Sequence, residues 1–226
     1  MLNISVLGDS ISTFEGYNPE GFAVYYDTFM QQRNDLSSVN DTWWAQVILA
    51  LGGQLCVNNS FSGSKVCGDS FPSASSEIRC SGLHTAQELP DIILLYIGDN
   101  DFGYGMPVQR KRFSLKRDPA FFADAYDCML DRLTHNYPNA AIIYATLMRT
   151  MIRNSDWVLP ECFCGVPFDD YNNAIRKVKR KKNCYMADLP DIRYETPDGS
   201  HPTKYGHQVI ADAWIQTLIR LGFIAG

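Results

Sequence analysis

The chain has 226 residues, of which 46% are apolar and 20% charged, and it carries a formal charge of −5. That length and apolar share are enough for one well-filled domain. The acidic balance argues against a general binder of nucleic acid or acidic membranes, and no apolar run approaches the roughly 18 residues of a membrane span.

Residues 3–7 form the first apolar run and predict a strand. No basic n-region precedes it, so a signal peptide is not expected and a cytoplasmic protein is. A helix is expected over 41–51, capped by Asp41 and stopped by Gly52-Gly53. Leu55-Cys56-Val57 predicts a short second strand. The unbroken run Ile92 to Ile97 predicts a third, of the kind buried on both faces of a parallel sheet. Asp118-Pro119 supplies a cap and a first-turn proline for a helix reaching about Asn136. Ala141 to Ala145 is the fourth expected strand. Asp169 or Asp170 is placed to cap a helix to about Lys181, and Cys184-Tyr185-Met186 makes a fifth strand. The last helix is expected from about Thr203 to Leu221, with its apolar stripe on Val209, Ile210, Ala213, Trp214, Thr217 and Leu218.

Strands alternating with helices predict an α/β fold, a three-layer α/β/α sandwich around a mostly parallel five-stranded sheet. With no repeat, low-complexity tract or linker, residues 1–226 read as a single domain. Two long irregular pieces, 12–40 and 99–117, leave the sheet at carboxyl ends of strands, where such folds place ligands.

Seven cysteines and no export signal favour free thiols over a disulfide framework. Cys162-Phe163-Cys164 has no second pair and no nearby histidine, so no metal site is expected. Cys67 and Cys80 are candidates for the rim of a site. The basic run Arg176 to Lys182 reads as a solvated helix end aligned with its dipole, and no nucleic-acid partner is expected.

The chemistry-bearing residues gather at the expected strand ends. Ser10 follows the first strand in Gly8-Asp9-Ser10, where the glycine lets the chain bend and backbone N–H groups can face an oxyanion. The tripeptide recurs at Gly68-Asp69-Ser70, but in a polar loop with no strand before it, so position favours the first copy. Asp198 and His201 stand three residues apart in Asp198-Gly199-Ser200-His201-Pro202, a spacing that lets a carboxylate fix the tautomer of a general base. A Ser, an Asp and a His are the parts of a nucleophilic acyl-transfer site. After the third strand, Gly98-Asp99-Asn100-Asp101 offers the Asn100 amide as a donor to developing negative charge or as a turn closure. After the second, Gly63 in Ser60-Phe61-Ser62-Gly63-Ser64 offers a bare N–H or a flexible turn.

The ordered set Gly8-Asp9-Ser10, Gly63, Gly98-x-Asn100-Asp101 and Asp198-x-x-His201-Pro202 resembles the GDSL or SGNH hydrolase superfamily, with blocks spanning residues 8 to 202. The resemblance implies Ser10 as nucleophile, His201 as base and Asp198 as its orienting partner. It also implies an oxyanion hole of the Ser10 and Gly63 N–H groups and the Asn100 side chain, with no cofactor and no metal. Two departures stand out: Ile11 replaces the usual leucine, and Asp99 is expected to add negative charge that disfavours anionic substrates. The Gly-x-Ser-x-Gly elbow of the α/β-hydrolases is absent.

The implied activity is serine esterase action on short-chain carboxylic esters, with O-acetyl groups on carbohydrates the leading substrate. Phe14, Tyr17, Phe22, Tyr25, Tyr26, Trp43, Trp44 and Phe61 are expected to supply an aromatic rim suited to a sugar face or a short acyl group. The alternatives are a lysophospholipase or thioesterase for longer chains, an acyltransferase, and a carbohydrate-binding module without turnover. The expected partner is a small-molecule or oligosaccharide ester.

Overall fold

Apolar strands that bury both faces need helices above and below them, and the chain supplies these by reversing direction once. In the computed structural model, which describes residues 1–110, 116–155, 160–178 and 181–225, the elements in chain order are β1 (Leu2–Gly8), α1 (Thr28–Arg33), α2 (Trp43–Ala50), β2 (Gly53–Asn58), α3 (Glu77–Ser81), β3 (Ile92–Tyr96), α4 (Asp99–Gly103), α5 (Phe122–Asn136) and β4 (Ala141–Ala145). They continue with β5 (Arg149–Ile152), β6 (Cys162–Phe163), β7 (Val166–Pro167), α6 (Phe168–Lys177), β8 (Cys184–Ala187), β9 (Arg193–Thr196) and α7 (Lys204–Arg220). Five strands form one sheet in the order β2-β1-β3-β4-β8, parallel throughout. The expected three-layer α/β/α sandwich is the observed fold. Helices α2 and α7 pack on each other, while α5 packs on both α3 and α6.

The order carries a functional consequence. From β1 the chain steps outward to β2, then crosses back over β1 to β3 and continues to β4 and β8. Right-handed crossovers in opposite directions fall on opposite faces of the sheet. The reversal therefore opens a crevice at the carboxyl ends of β1 and β3, the position where open α/β sheets bind ligands. Gly8 pairs with Tyr96 at that edge.

Boundaries differ from expectation where the carboxylates expected to cap are bonded elsewhere. The helix expected from Asp41 starts at Trp43 with Thr42 as N-cap, whose hydroxyl accepts from the Ala45 N–H. Asp41 instead accepts from the Ser37 and Ser38 N–H groups and pairs with Lys204. Asp118 accepts from the Ala120 N–H in a turn, which delays α5 to Phe122. Helix α6 opens two residues before Asp170, with Pro167 as N-cap, and ends at Lys177 rather than Lys181; Lys179 and Arg180 of the basic run lie outside the described residues. The 12–40 segment holds α1, and 99–117 opens with α4, while 111–115 lie outside the described residues. Two strand pairs were not legible in the sequence: parallel β5–β9 and the β6–β7 hairpin.

The α2–α7 layer is built on stacked Trp43 and Trp214, with ring centroids 5.3 Å apart. His207 of α7 is wholly buried there and accepts at Nδ1 from the Trp43 N–H at 3.2 Å, so its proton sits on Nε2, which has no hydrogen-bond partner among the described residues. Burial pushes this imidazole down to about 3, against the opposing pull of Asp41. The ordinary imidazole of the unfolded chain titrates near 6.5, so below that pH the unfolded chain takes up a proton that the folded protein refuses. This term is fully present above pH 6.5 and drains by about 1.4 kcal/mol per pH unit as the pH falls towards 3. His207→Gln keeps an acceptor and removes the titration. Denaturant midpoints at pH 7 and pH 5.5 are expected to show wild type losing stability relative to this variant on acidification; parallel curves would exclude the effect.

Candidate active site

Strand β1 ends in a 3-10 turn, Ser10–Ser12, because Asp9 caps it: the Asp9 Oδ1 accepts from the Ile11 N–H at 3.0 Å. Gly8 is required at this bend, since a Cβ there would lie 2.6 Å from the Ser12 Oγ. Ser10 is thereby held at the crevice with its side chain free of the turn. Its Oγ lies 3.0 Å from His201 Nε2, across 191 residues of sequence, and His201 Nδ1 lies 2.8 Å from Asp198 Oδ2.

The loop carrying Asp198 and His201 is fixed from several sides. Strand β9 delivers it, and β5 supports β9: the Thr150 hydroxyl donates to the Gly199 carbonyl and the Thr196 hydroxyl accepts from the Gly199 N–H. The Asn34 amide donates to the His201 and Pro202 carbonyls at 3.0 Å each, and the Tyr26 hydroxyl donates to Pro202 as well. Asp198 Oδ1 accepts the Ser200 and His201 N–H groups. Tyr25 adds two contacts, its hydroxyl donating to Asp198 Oδ2 at 2.9 Å and its ring stacking on His201 at an interplanar angle of 7°. Burial opposes charge on Asp198, but the hydrogen bonds from the His201 side chain and backbone outweigh it and hold the carboxyl well below the usual range. Asp198 is therefore ionised beside the imidazole, the condition for fixing the Nδ1–H tautomer.

Asn100 and Gly63 lie in the segments that follow the neighbouring strands β3 and β2. Gly98, at φ +138°, starts α4, and the Asn100 amide donates to the Ser64 carbonyl at 2.9 Å. Gly63, at φ +79°, faces open space where a Cβ would stand. Asp101 pins the same loop by accepting the Val66 and Cys67 N–H groups at 2.7 and 2.9 Å.

The matching family model is GDSL-like Lipase/Acylhydrolase, over residues 2–218. The chain belongs to the GDSL-like lipase/acylhydrolase family. It is an ester hydrolase of that family. Among solved structures it is similar to a Bacteroides ovatus ATCC 8483 protein described as a GDSL-like lipase, with 28% identity, 98% of this chain and 99% of that one covered, and a TM-score of 0.73. A counterpart from Bacteroides uniformis ATCC 8492 gives 29% identity, coverage of 97% and 94%, and a TM-score of 0.68. A family two carbohydrate esterase from Clostridium thermocellum, solved with cellohexaose, shares the fold at 18% identity and a TM-score of 0.59, with 99% of this chain and 65% of that one covered. No curated protein matches the chain.

Several expectations for this GDSL-like acylhydrolase need correction. Asp99 is held back from ionising: burial, then the nearby Asp9 and Asp101 carboxyls, push its carboxyl well above the ordinary range. Cys67 and Cys80 are buried rather than on a rim, and burial pushes both thiols up, Cys80 to about 12. All seven cysteines are free. The aromatic set divides: Phe14, Tyr26, Trp43 and Trp44 are core, Tyr25 covers His201, and Phe22 and Phe61 form an edge-to-face cluster with Phe71. Among the described residues no group of three His, Cys, Asp or Glu could hold a metal ion, and no helix is long and apolar enough to cross a membrane.

Two supporting residues, Asn34 and Arg79, were missed in the sequence, and Tyr25, expected on an aromatic rim, serves instead as a hydrogen-bond donor to Asp198 and a stacking partner of His201. None lies in a recognisable block, and their roles come from contacts across 167 residues for Asn34 and 173 for Tyr25. Tyr25→Phe removes one donor from Asp198 while keeping the stacked ring. A fall in kcat of about tenfold to a hundredfold is expected, the worth of one hydrogen bond to a charged group, with KM little changed. Steady-state kinetics of a soluble ester check this.

Proposed function

We propose that this acylhydrolase is a serine esterase working through an acyl-enzyme, with short-chain esters, foremost O-acetyl groups on carbohydrates, as substrates. The observation that carries the reading is the continuous chain from Ser10 Oγ through His201 to Asp198, at 3.0 and 2.8 Å. In this mechanism His201 Nε2 takes the Ser10 proton as Oγ attacks the ester carbonyl. The Ser10 and Gly63 N–H groups and the Asn100 amide receive the oxyanion. His201 then protonates the departing alcohol oxygen, and a water activated by the same nitrogen releases the acid. Asn100→Ala is expected to lower kcat by about a hundredfold or more, with KM little changed, the usual cost of one oxyanion donor.

The carbohydrate preference draws on the exposed part of the aromatic cluster beside the nucleophile turn, where the Phe61 N–H donates to the Gly8 carbonyl. Aromatic faces suit sugar rings. The fold shared with the Clostridium thermocellum carbohydrate esterase is in keeping with it. The test is acetate release from acetylated oligosaccharides, set beside p-nitrophenyl esters from acetyl to dodecanoyl. Activity peaking at acetyl, with release from sugar acetates, is the expected result; a peak at long chains would overturn the short-chain reading.

A further inference from the structure

A pocket of about 260 Å³ opens beside the site, with Asp198, Gly199 and Ser200 at one end. Its walls include Asp99, Phe102, Met148, Phe163, Phe168 and Tyr194. At roughly 30 Å³ per water molecule it is several times too large for an acetyl group alone, so a substrate that fills it brings something more. Two arginines also border it, but neither is available to a ligand anion. Arg149 is bonded to Glu161, Asp169 and Asp191, and Arg193 to Glu161 and the Thr150 carbonyl. The pocket therefore favours an uncharged guest.

One wall carries an unused polar group. Asp99 Oδ2 is sealed from solvent with no hydrogen-bond partner, and among the described residues no other residue donates to either oxygen of this carboxyl. The groups acting on it are Asp9 and Asp101, with the Tyr96 and Tyr194 phenols nearby. No cation balances it among these. A buried carboxyl in carboxyl and phenol company keeps its proton, and a protonated carboxyl is a donor as well as an acceptor. Asp99 lines this pocket together with Asp198, and it directly precedes Asn100 in the chain.

We propose that Asp99 is a specificity-determining residue: as a neutral acid it donates a hydrogen bond to an uncharged hydroxyl or ether oxygen on the substrate group that fills this pocket. This assignment rests on the serine esterase reading above. The oxygen can come from the acyl side, as in an alkoxyacyl or hydroxyacyl ester, or from the sugar on the alcohol side.

Paired substrates separate the two sources. p-Nitrophenyl methoxyacetate against p-nitrophenyl butyrate varies one acyl atom, and the primary-alcohol acetate of glucose against cyclohexylmethyl acetate varies only the alcohol. Wild type, Asp99→Leu and Asp99→Asn are compared by the ratio of kcat/KM within each pair, so intrinsic ester reactivity cancels. In one of the pairs Asp99→Leu is expected to cut the preference for the oxygen-bearing member by about tenfold, while Asp99→Asn, which keeps a neutral donor, holds it within about threefold. The pair that responds names the source. Unchanged ratios in both pairs, or Asp99→Asn behaving like Asp99→Leu, would overturn the assignment. Asp99→Leu is expected to melt at or above the wild-type temperature, because it removes a partnerless buried carboxyl. A variant that fails to fold would show the carboxyl to be structural and overturn the assignment equally. Ser10-dependent turnover of p-nitrophenyl acetate by wild type separates the two levels: its absence defeats the esterase reading and this assignment with it, whereas its presence with unchanged ratios defeats this assignment alone.

Discussion

Ser10→Ala is expected to remove ester hydrolysis almost completely, lowering kcat by a factor on the order of 10⁵ or more while leaving the fold intact. The magnitude follows from the way nucleophile and base act as a unit: loss of either costs about as much as loss of both, and only oxyanion stabilisation and binding survive. The fold should persist because the serine side chain does no capping work. Asp9 caps the turn through the Ile11 N–H, and His201 remains tied to Asp198. The decisive measurement pairs kinetics with a fluorophosphonate, whose phosphorus bonds the active nucleophile. Wild type should gain one label on the peptide containing Ser10 and Ser10→Ala should gain none. Ser70, in the second Gly-Asp-Ser, should stay unlabelled in both. A Ser10→Ala protein with wild-type turnover would exclude Ser10 as nucleophile.

Arg79→Met is expected to destabilise the protein by about 3 kcal/mol or more, a large share of a typical domain's stability. Arg79 is wholly buried, and its guanidinium donates to the carbonyls of Gly8, Asn59 and Pro72, the Asn59 side chain and the Ser64 hydroxyl. Burial pushes it down to about 10, which leaves it charged at neutral pH. Its cation also lies 5.9 Å from the Phe22 ring centroid and 6.0 Å from that of Phe61. Removal strands several buried acceptors at once, and such groups are costly when unpaired. The effect reaches the site because Ser64, which Arg79 holds by its hydroxyl, accepts the Asn100 amide at its carbonyl. One side chain thus ties the end of β1 to the loops bearing Gly63 and Asn100. Below the melting temperature of the variant, kcat should fall more than KM rises. Urea midpoints and steady-state kinetics on Arg79→Met and Arg79→Lys check both parts, with the lysine variant intermediate. A loss below about 1 kcal/mol would mean that water replaces the guanidinium.

Three acidic side chains near this clamp behave unlike their surface counterparts. Asp9 and Asp99 both resist ionisation because of burial, and Asp101 spends both oxygens on the Val66 and Cys67 N–H groups. In sequence, Gly98-Asp99-Asn100-Asp101 reads as a charged turn. At the sheet edge, burial raises the carboxyls of both Asp99 and Asp101, and in Asp101 the N–H bonds from Val66 and Cys67 oppose that push.

The alternation of apolar runs and helical patterns carried the layer architecture and all five sheet strands, because burial on both faces demands continuous apolar sequence and that demand is local. The blocks around Ser10, Asn100 and His201 were equally legible, since each lies next to a strand end or helix start with its own turn chemistry. What local sequence could not carry was anything settled by distant partners. Strand β5 pairs with β9 across more than forty residues, and neither has an apolar pattern that announces a strand. The helix starts moved by one to four residues because a nearby hydroxyl, or a carboxylate already bound elsewhere, changed which residue was free to cap. Arg79 and Tyr25 gained their importance only once folding placed five acceptors around one and a histidine ring against the other. Which aromatics are core and which are exposed, and whether Asp99 bears a charge, depend on how much water each group keeps. Residue type and spacing belong to the chain; desolvation and long-range contact exist only in the folded molecule.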